Sequence, residues 1–166
     1  SRLKKIKHLI FASTSSVYGE NTNFPLREND STDFPISYYA ATKKSNEVMA
    51  YSYSHIFKIP ITGLRFFTVY GEYGRPDMAL FKFSEKIMKN KKINLFNYGK
   101  HTRDFTYIND VAELVAKITF IKPKNKKIPY DIFNISSNKP EKLKKYVKFI
   151  QENIKRKINI KYVKRQ

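Results

Sequence analysis

Two residues in the stretch "SYYAATKKSNE", residues 37–47, have the types and spacing that acid-base chemistry requires, namely Tyr39 and Lys43. Residues four apart lie on one face of a helix, so the two side chains can converge on one bound molecule. A phenol is a poor base at neutral pH, but a nearby ammonium ion favours the phenolate, and a cationic cofactor ring favours it further. Such a pair suits removal of a proton from an alcohol whose carbon gives up a hydride.

The same spacing also arises by chance in a chain with 12 Tyr and many Lys. The competing interpretation is two polar residues on a solvated helix face. The cluster "STSS", residues 13–16, favours the chemical interpretation because it ends the apolar run "KHLIFAST". Open α/β sheets bind ligands where parallel strands end, and a hydroxyl there can hydrogen-bond the oxygen that Tyr39 deprotonates.

The elements that must position these side chains form a βαβ unit. "KHLIFAST" (residues 7–14) and "ITGLRFFTVYG" (residues 61–71) are typical of buried strands, and the segment from about Ser37 to Phe57 is typical of a helix that Pro60 closes. A strand, a loop, a helix and a second strand predict two parallel, neighbouring strands.

The rest of the chain continues the alternation of helices and strands, so the predicted fold class is α/β. Apolar periodicity predicts helices over 76–90, 108–121 and 140–155, and strands over 93–99, 129–136 and 158–163. Asn109 or Asp110 is placed to cap the helix at 108–121. The helix at 140–155 has one apolar stripe, formed by Leu143, Val147, Ile150 and Ile154.

Composition restricts the function classes. A hydrophobic content of 41% is enough for a packed core, and the sequence has no cysteine, no signal-like segment and no apolar run of membrane-spanning length. We therefore expect a soluble, cytoplasmic protein without a membrane partner. The three histidines, His8, His55 and His101, are too dispersed to predict a metal site.

The formal net charge of +19 could indicate a polyanionic partner. The lysines are scattered and accompany abundant Ile and Asn, which favours a solvated surface over a nucleic-acid site. We expect no nucleic-acid partner. A basic nucleic-acid-binding module stays open as a function of another class, and its binding would weaken steeply with salt.

Four segments in order resemble a known family: "FASTSSVYGE", "SYYAATKKSNEVMAYSYSH", "ITGLRFFTVYGEYGRPDMALFKF" and "NYGKHTRDFTYINDV". They are similar to motifs of the extended short-chain dehydrogenase/reductase superfamily and, within it, of NAD-dependent nucleotide-sugar epimerases. The resemblance is greatest to the UDP-glucuronate 4-epimerase group, from about Lys7 to Ser136. It implies a partial Rossmann-like parallel sheet with part of a small C-terminal substrate-binding domain.

The resemblance implies a role for each matching residue. Tyr39 becomes the catalytic base, Lys43 binds the nicotinamide ribose and promotes ionisation of the phenol, and Thr14 supplies the catalytic hydroxyl, with Ser15 and Ser16 as alternatives. The implied NAD contacts are Ser13, Tyr39, Lys43, Phe66 and Val69. The implied contacts with the UDP-sugar are Thr14, Ser15, Thr68, Arg75, Leu95, Asn97 and Arg103.

Several of these residues also have simpler interpretations. Arg75 would face the sugar carboxylate or a phosphate, but it could pair with Asp77. Arg103 would hold the UDP diphosphate, but it could pair with its neighbour Asp104. Phe66 could be a plain core aromatic.

The resemblance also implies a division of the chain. Residues 1–70 match the second half of the NAD-binding domain with Thr14, Tyr39 and Lys43, and residues 71–98 match a substrate-binding segment. Residues 99–137 match a return to the NAD-binding domain, and residues 138–166 match part of the C-terminal domain. In the full-length family member we expect a homodimer.

The sequence departs from the family pattern by lacking the Gly-rich turn that holds a cofactor pyrophosphate, since its five glycines (Gly19, Gly63, Gly71, Gly74 and Gly99) form no such cluster. We therefore expect a fragment that lacks the N-terminal Gly-rich part and also the C-terminal end of the family, and that is inactive unless the missing part is supplied. The open alternatives are a 4-epimerase for UDP-glucose or UDP-N-acetylglucosamine, a sugar-nucleotide dehydratase, and a non-catalytic remnant. Dehydratases generally carry an acidic pair just after the catalytic hydroxyl, where this chain has Ser15, Ser16 and Val17.

Overall fold

The alternation of helices and strands predicted from the sequence is present in the structure, a computed structural model that describes residues 6–21, 23–100, 102–156 and 158–164. His101 and the first five residues lie outside this part of the chain. The strands are β1 (Leu9–Thr14), β2 (Ile61–Phe66), β3 (Thr68–Tyr70), β4 (Ile93–Phe96), β5 (Thr102–Tyr107), β6 (Tyr130–Ile135), β7 (Pro140–Lys142) and β8 (Ile160–Val163). The helices are α1 (Tyr38–Phe57), α2 (Ala79–Met88), α3 (Ile108–Thr119) and α4 (Leu143–Ile154). The α/β fold class is confirmed.

The chain divides into two compact units. Unit 1 comprises Ser1–Phe67 and Asn109–Ser136, and unit 2 comprises Thr68–Ile108 and Ser137–Gln166. Unit 1 contains a parallel sheet in the order β1-β2-β6. The prediction that the first two strands are parallel neighbours is confirmed, and their register pairs Leu9 with Ile61 and Thr14 with Phe66.

The central strand of unit 1, β2, is buried from Ile61 to Arg65, as expected for a parallel strand covered on both faces. Gly63 in this strand lies between aromatic and aliphatic side chains of its neighbours. A Cβ atom added there would lie 2.8 Å from the ring of Phe11 and 3.3 Å from Cδ1 of Ile132. The close packing of the three strands therefore leaves little room for a side chain at this position.

Helix α1 begins and ends as the sequence predicts. The Ser37 hydroxyl caps its N-terminus by accepting a hydrogen bond from the Ala40 amide at 3.1 Å. Lys58, with φ of +52°, ends it in the left-handed conformation, and Pro60 follows two residues later. Its buried residues are Ala40, Glu47 and Ser54, which recur every seven positions and define the stripe that faces the sheet.

Unit 2 is built around a core of Ile87, Ile93, Leu95, Val147 and Ile150. These residues come from α2, β4 and α4, and β4 pairs with β8 in parallel. The apolar stripe predicted for α4 is confirmed, because Val147 and Ile150 are buried in this core and Leu143 and Ile154 pack against it. Strands β3, β5 and β7 form a second sheet of this unit.

Four predictions about elements are wrong in detail. The strand predicted over 61–71 is two strands, since the chain leaves the unit 1 sheet after Phe67, whose amide still donates to the Ile135 carbonyl at 3.1 Å. Helix α3 begins at Ile108, so Asn109 and Asp110 lie in its first turn and not at its cap. Residues 140–142 form β7 instead of the first turn of α4, because they pair with β5. The strand predicted over 93–99 ends at Phe96, and Asn97–Gly99 form a 3-10 turn.

Tyr146, on α4, has a buried hydroxyl with no hydrogen-bond partner in the described residues, while its ring stacks on Phe105 with centroids 4.0 Å apart. Burial raises the pKa of Tyr146 from 10.0 to about 12, with a smaller contribution from Tyr70 in the same direction. Because burial favours the neutral phenol, ionisation of Tyr146 does not lower the free energy of unfolding below pH 10. As the pH rises from 10 toward 12, the unfolded state loses this proton more readily than the folded state, so the free energy of unfolding falls.

We therefore predict that Tyr146→Phe stabilises the protein. It keeps the stacked ring and removes a hydroxyl whose burial without a partner costs about 1 kcal/mol or more. The gain in the free energy of unfolding over the unchanged protein should grow as the pH rises above 10. Urea denaturation at pH 8 and pH 10.5 measures it, with Tyr162→Phe at a more exposed ring as the control. A stability loss in Tyr146→Phe at both pH values would contradict the prediction.

Candidate active site

Thr14 ends β1 and caps the 3-10 turn Ser15–Tyr18 that follows. Its Oγ1 accepts a hydrogen bond from the Ser16 amide at 3.2 Å and lies 3.3 Å from the Ser16 hydroxyl. Thr14 is buried, Ser15 is half-buried and Ser16 is exposed. The strand-end turn therefore fixes the Thr14 hydroxyl more firmly than those of the two serines that follow it.

Tyr39 and Lys43 lie in the first two turns of α1, and the structure brings them next to each other. The Lys43 Nζ atom is 5.9 Å from the centroid of the Tyr39 ring. The same ammonium donates a hydrogen bond to the Ala12 carbonyl of β1 at 3.0 Å. Tyr39 is 54% exposed, so its phenol is accessible to a bound molecule. This lysine thus links the helix that carries Tyr39 to the strand that carries Thr14.

A buried ion pair lies one helical turn further along α1. The Arg65 guanidinium of β2 donates to both oxygens of the Glu47 carboxylate, Nε to Oε1 and Nη2 to Oε2, each at 2.9 Å. The Ser13 hydroxyl donates to Glu47 Oε1 at 2.6 Å, and Arg65 Nη1 donates to the Tyr18 hydroxyl at 2.8 Å. We call Ser13, Tyr18, Glu47 and Arg65 the Arg65 cluster.

The Arg65 cluster extends to the third strand of the sheet through Tyr18. The Tyr18 hydroxyl donates to Oδ1 of Asn134 in β6 at 2.7 Å, and Arg65 lies over the Tyr18 ring at 4.8 Å. Burial raises the pKa of Tyr18, although the hydrogen bond and charge of Arg65 act in the opposite direction. Burial alone would lower the pKa of Arg65, but the hydrogen bonds with Glu47 and Tyr18 outweigh it and raise that pKa.

Sequence reasoning did not find Glu47 or Arg65 as members of this network. Two signals for it were present. Arg65 stands inside an otherwise apolar and small-residue strand, where an arginine requires a buried partner. Glu47 follows Lys43 by four residues and so lies on the same helix face, toward β1.

Among the other residues predicted in unit 1, Ser13 is 3% exposed and gives its hydroxyl hydrogen to Glu47, which leaves only its lone pairs for another partner. Phe66 is half-buried, and the strand register places it beside Thr14 at the carboxyl end of the sheet. Both residues are thus at the strand ends where the sequence predicts them.

Unit 2 contains the remaining predicted residues. Thr68 and Val69 are half-buried in β3 and pair with Phe105 and Thr106 of β5. Arg75 is exposed and forms an ion pair with Asp77 at 3.3 Å, the simpler arrangement that its spacing also allowed. An ion pair this exposed holds the arginine only weakly.

The other three predicted residues of unit 2 differ in accessibility. Leu95 is fully buried in the core, so only its backbone could meet a ligand. Asn97 is half-buried with φ of +48°. Arg103 is exposed and lies opposite Glu141 in the register of β5 and β7.

Asp104 is not the partner of Arg103. Its carboxylate accepts hydrogen bonds from the Ser137 amide and hydroxyl and from the Lys139 amide, at 2.8–3.0 Å, and so ties β5 to the turn before β7. Within the described residues no group of three or more His, Asp or Glu side chains is arranged to hold a metal ion. No helix in the same part of the chain is long and apolar enough to cross a membrane.

Comparison with known proteins identifies the class to which this fold and these residues belong. The model of the NAD dependent epimerase/dehydratase family matches residues 1–136. The chain is 41% identical over 164 residues to a probable UDP-glucuronate 4-epimerase of Rhizobium meliloti, a match that covers 90% of this chain and 48% of the relative. The chain therefore belongs to the NAD-dependent epimerase/dehydratase family.

Solved structures agree with this assignment. The UDP-glucuronic acid 4-epimerase of Bacillus cereus, in complex with UDP-glucuronic acid and NAD, matches with a TM-score of 0.89 and 31% identity over 99% of this chain and 51% of its own. The UDP-N-acetylglucosamine 4-epimerase of Methanobrevibacter ruminantium, in complex with UDP-N-acetylmuramic acid, matches with a TM-score of 0.88 and 27% identity over 99% of this chain and 52% of its own. The chain thus spans about half the length of the relatives it matches.

Proposed function

We propose that the protein containing this chain is a nucleotide-sugar 4-epimerase that interconverts UDP-glucuronate and UDP-galacturonate with tightly bound NAD. The observation that carries the proposal is the link between α1 and β1, in which Lys43 of the Tyr39–Lys43 pair bonds the strand that ends at Thr14. The similarity to relatives named as UDP-glucuronate 4-epimerases supports the choice of substrate.

The proposed reaction inverts carbon 4 of the sugar through a 4-keto intermediate. Tyr39 removes the proton of the 4-hydroxyl and later returns one to the same oxygen. Thr14 hydrogen-bonds that oxygen, and Lys43 holds its ammonium charge beside the Tyr39 ring. When bound, NAD supplies a hydride acceptor that becomes the hydride donor for the return step.

Lys43 is the residue of unit 1 whose free hydrogen-bond donors suit a nicotinamide nucleotide. An ammonium group has three donors, and Lys43 uses one of them on the Ala12 carbonyl. The remaining donors suit the hydroxyls of a ribose. The further contacts proposed for unit 1 are Ser13 and Phe66 to this cofactor, and Thr14 and Ser15 to the UDP-sugar. In unit 2, considered by itself, the contacts that the family resemblance implies are Val69 to the cofactor, and Thr68, Arg75, Leu95, Asn97 and Arg103 to the UDP-sugar.

The test is an assay of the complete gene product that contains this chain, with added NAD and UDP-glucuronate. Chromatography of the nucleotides should show UDP-galacturonate, and the reverse reaction should reach the same ratio. UDP-glucose and UDP-N-acetylglucosamine in parallel assays test the other 4-epimerases, and a 4-keto-6-deoxy product from a nucleotide-glucose tests a dehydratase. If neither UDP-uronic acid is converted, the proposed function is wrong.

A further inference from the structure

The Arg65 cluster joins the helix that carries Tyr39 and Lys43 to the strands of the sheet. We propose that Glu47 and Arg65 are positioning residues. They fix the position of α1 along β1 and its rotation about the helix axis, and they thereby place Tyr39 and Lys43 relative to Thr14. This inference rests on the proposed function for its catalytic consequence. Its structural content stands independently of the substrate.

Helix α1 is attached to β1 at two points one helical turn apart. The Lys43 ammonium bonds the Ala12 carbonyl at 3.0 Å, and the Glu47 carboxylate accepts from the Ser13 hydroxyl at 2.6 Å. Lys43 and Glu47 lie one turn apart on the same face of the helix, and their partners Ala12 and Ser13 are consecutive in the strand. Sliding or rotating the helix would break at least one of the two bonds, so together they fix its position.

The Arg65 guanidinium fixes the Glu47 carboxylate itself. It engages both carboxylate oxygens at 2.9 Å, and its remaining Nη1 group bonds the Tyr18 hydroxyl at 2.8 Å and the Glu28 carbonyl at 3.0 Å. A planar guanidinium in a bidentate contact restrains the carboxylate in orientation as well as in distance. Since Arg65 belongs to the central strand, it transmits the position of the sheet to α1.

Stability alone does not account for such a pair. Glu47 and Arg65 have side chains 5% exposed, and removing two charges from water costs so much that apolar residues of similar volume often stabilise a fold equally well. Apolar residues would not, however, fix the orientation of α1 as the directional hydrogen bonds of this ion pair do. The other ion pairs in the described residues are exposed and join residues two or four apart in the chain. Glu47–Arg65 differs because it is buried and joins two elements.

The test combines Glu47→Gln with Arg65→Met in the complete gene product, so that neither charge is left buried without its partner. We expect kcat for the UDP-uronic acids to fall by on the order of 10- to 100-fold while KM changes by less than about twofold, because a small displacement of the base affects the reaction more than binding. The NMR carbonyl shift of Ala12 should move at the same time, since its bond with Lys43 weakens. The matched control is Glu113→Gln with Lys117→Met, an exposed pair on α3 that should change neither quantity.

A purely structural role predicts a different pattern. If the double variant is folded and keeps both kcat and the Ala12 carbonyl shift, the proposal is wrong. If no UDP-sugar is converted even by the unchanged protein, the proposed function fails, but the Ala12 shift still decides whether the cluster positions α1. Should the double variant fail to fold, Arg65→Lys, which keeps the charge and loses the bidentate contact, takes its place with the same two readouts and the same criteria.

Discussion

Replacing Tyr39 by Phe is expected to lower kcat for the interconversion of UDP-glucuronate and UDP-galacturonate by about 100- to 10,000-fold, the range typical of losing a general acid-base group. The substitution removes the phenol oxygen that is proposed to accept the substrate proton, and it keeps the ring. Because Tyr39 is 54% exposed and its ring is next to the Lys43 ammonium, the fold does not depend on the phenol hydroxyl. Binding of UDP should stay nearly unchanged. Steady-state kinetics and calorimetric titration with UDP measure the two effects.

Tyr38 provides the matched control for this substitution. It is the preceding residue of the same helix, is 87% exposed, and points about 100° away around the helix axis. Tyr38→Phe should therefore leave kcat unchanged. Turnover retained by Tyr39→Phe, or an equal loss in Tyr38→Phe, would show that Tyr39 is not the base, even if the protein is an epimerase.

Local chemistry explains which parts of the fold were predictable from the sequence. The start of α1 is encoded by the Ser37 cap and its end by the neighbourhood of Pro60, and both signals lie within a few residues of the boundary. The apolar stripe of α4 is likewise a local pattern, which the core of unit 2 then buries. The parallel pairing of β1 with β2 followed from the order of elements alone.

The elements that sequence reasoning missed depend on distant partners. Strand β5, residues 102–107, is not an apolar run, and it is held by pairing with β3 and β7. Asp104 within it binds the amides of Ser137 and Lys139, more than thirty residues away. No local pattern distinguishes a carboxylate with such partners from a surface residue, which explains why Arg103 and Asp104 also suggested an ion pair.

The residues of the candidate site also divide into those that local motifs indicate and those whose partners lie far away in the sequence. Thr14, Tyr39 and Lys43 are proposed from the sequence, because each occurs in a short motif with a mechanistic reason for its spacing. Glu47 and Arg65 each carried a local signal, but their pairing could not be derived from it, since Glu47 and Arg65 are 18 residues apart and Glu47 and Ser13 are 34 residues apart. The sequence was therefore enough to propose residues for the chemistry, whereas the cluster proposed to position them required the structure.

Arg65→Met is expected to lower the free energy of unfolding by about 3–5 kcal/mol, the range for breaking a buried ion pair by removing one partner. The variant removes the guanidinium partner of Glu47, a residue 4% exposed in the unchanged protein, and leaves the Ser13 hydroxyl as the remaining donor to its carboxylate in the described residues. It also deprives the Tyr18 hydroxyl and the Glu28 carbonyl of a donor. Urea denaturation, followed by circular dichroism, measures the shift of the unfolding midpoint.

The matched substitution Lys117→Met removes the cation of an exposed ion pair on α3. It should leave the unfolding midpoint equal to that of the unchanged protein, because water replaces the lost contact. Adding Glu47→Gln to Arg65→Met should recover part of the lost stability, since the buried carboxylate charge disappears with its partner. A loss in Arg65→Met no larger than that in Lys117→Met would mean that the Glu47 carboxylate is solvated after the substitution. The packing of α1 on β1 and β2 would then not depend on the Glu47–Arg65 ion pair.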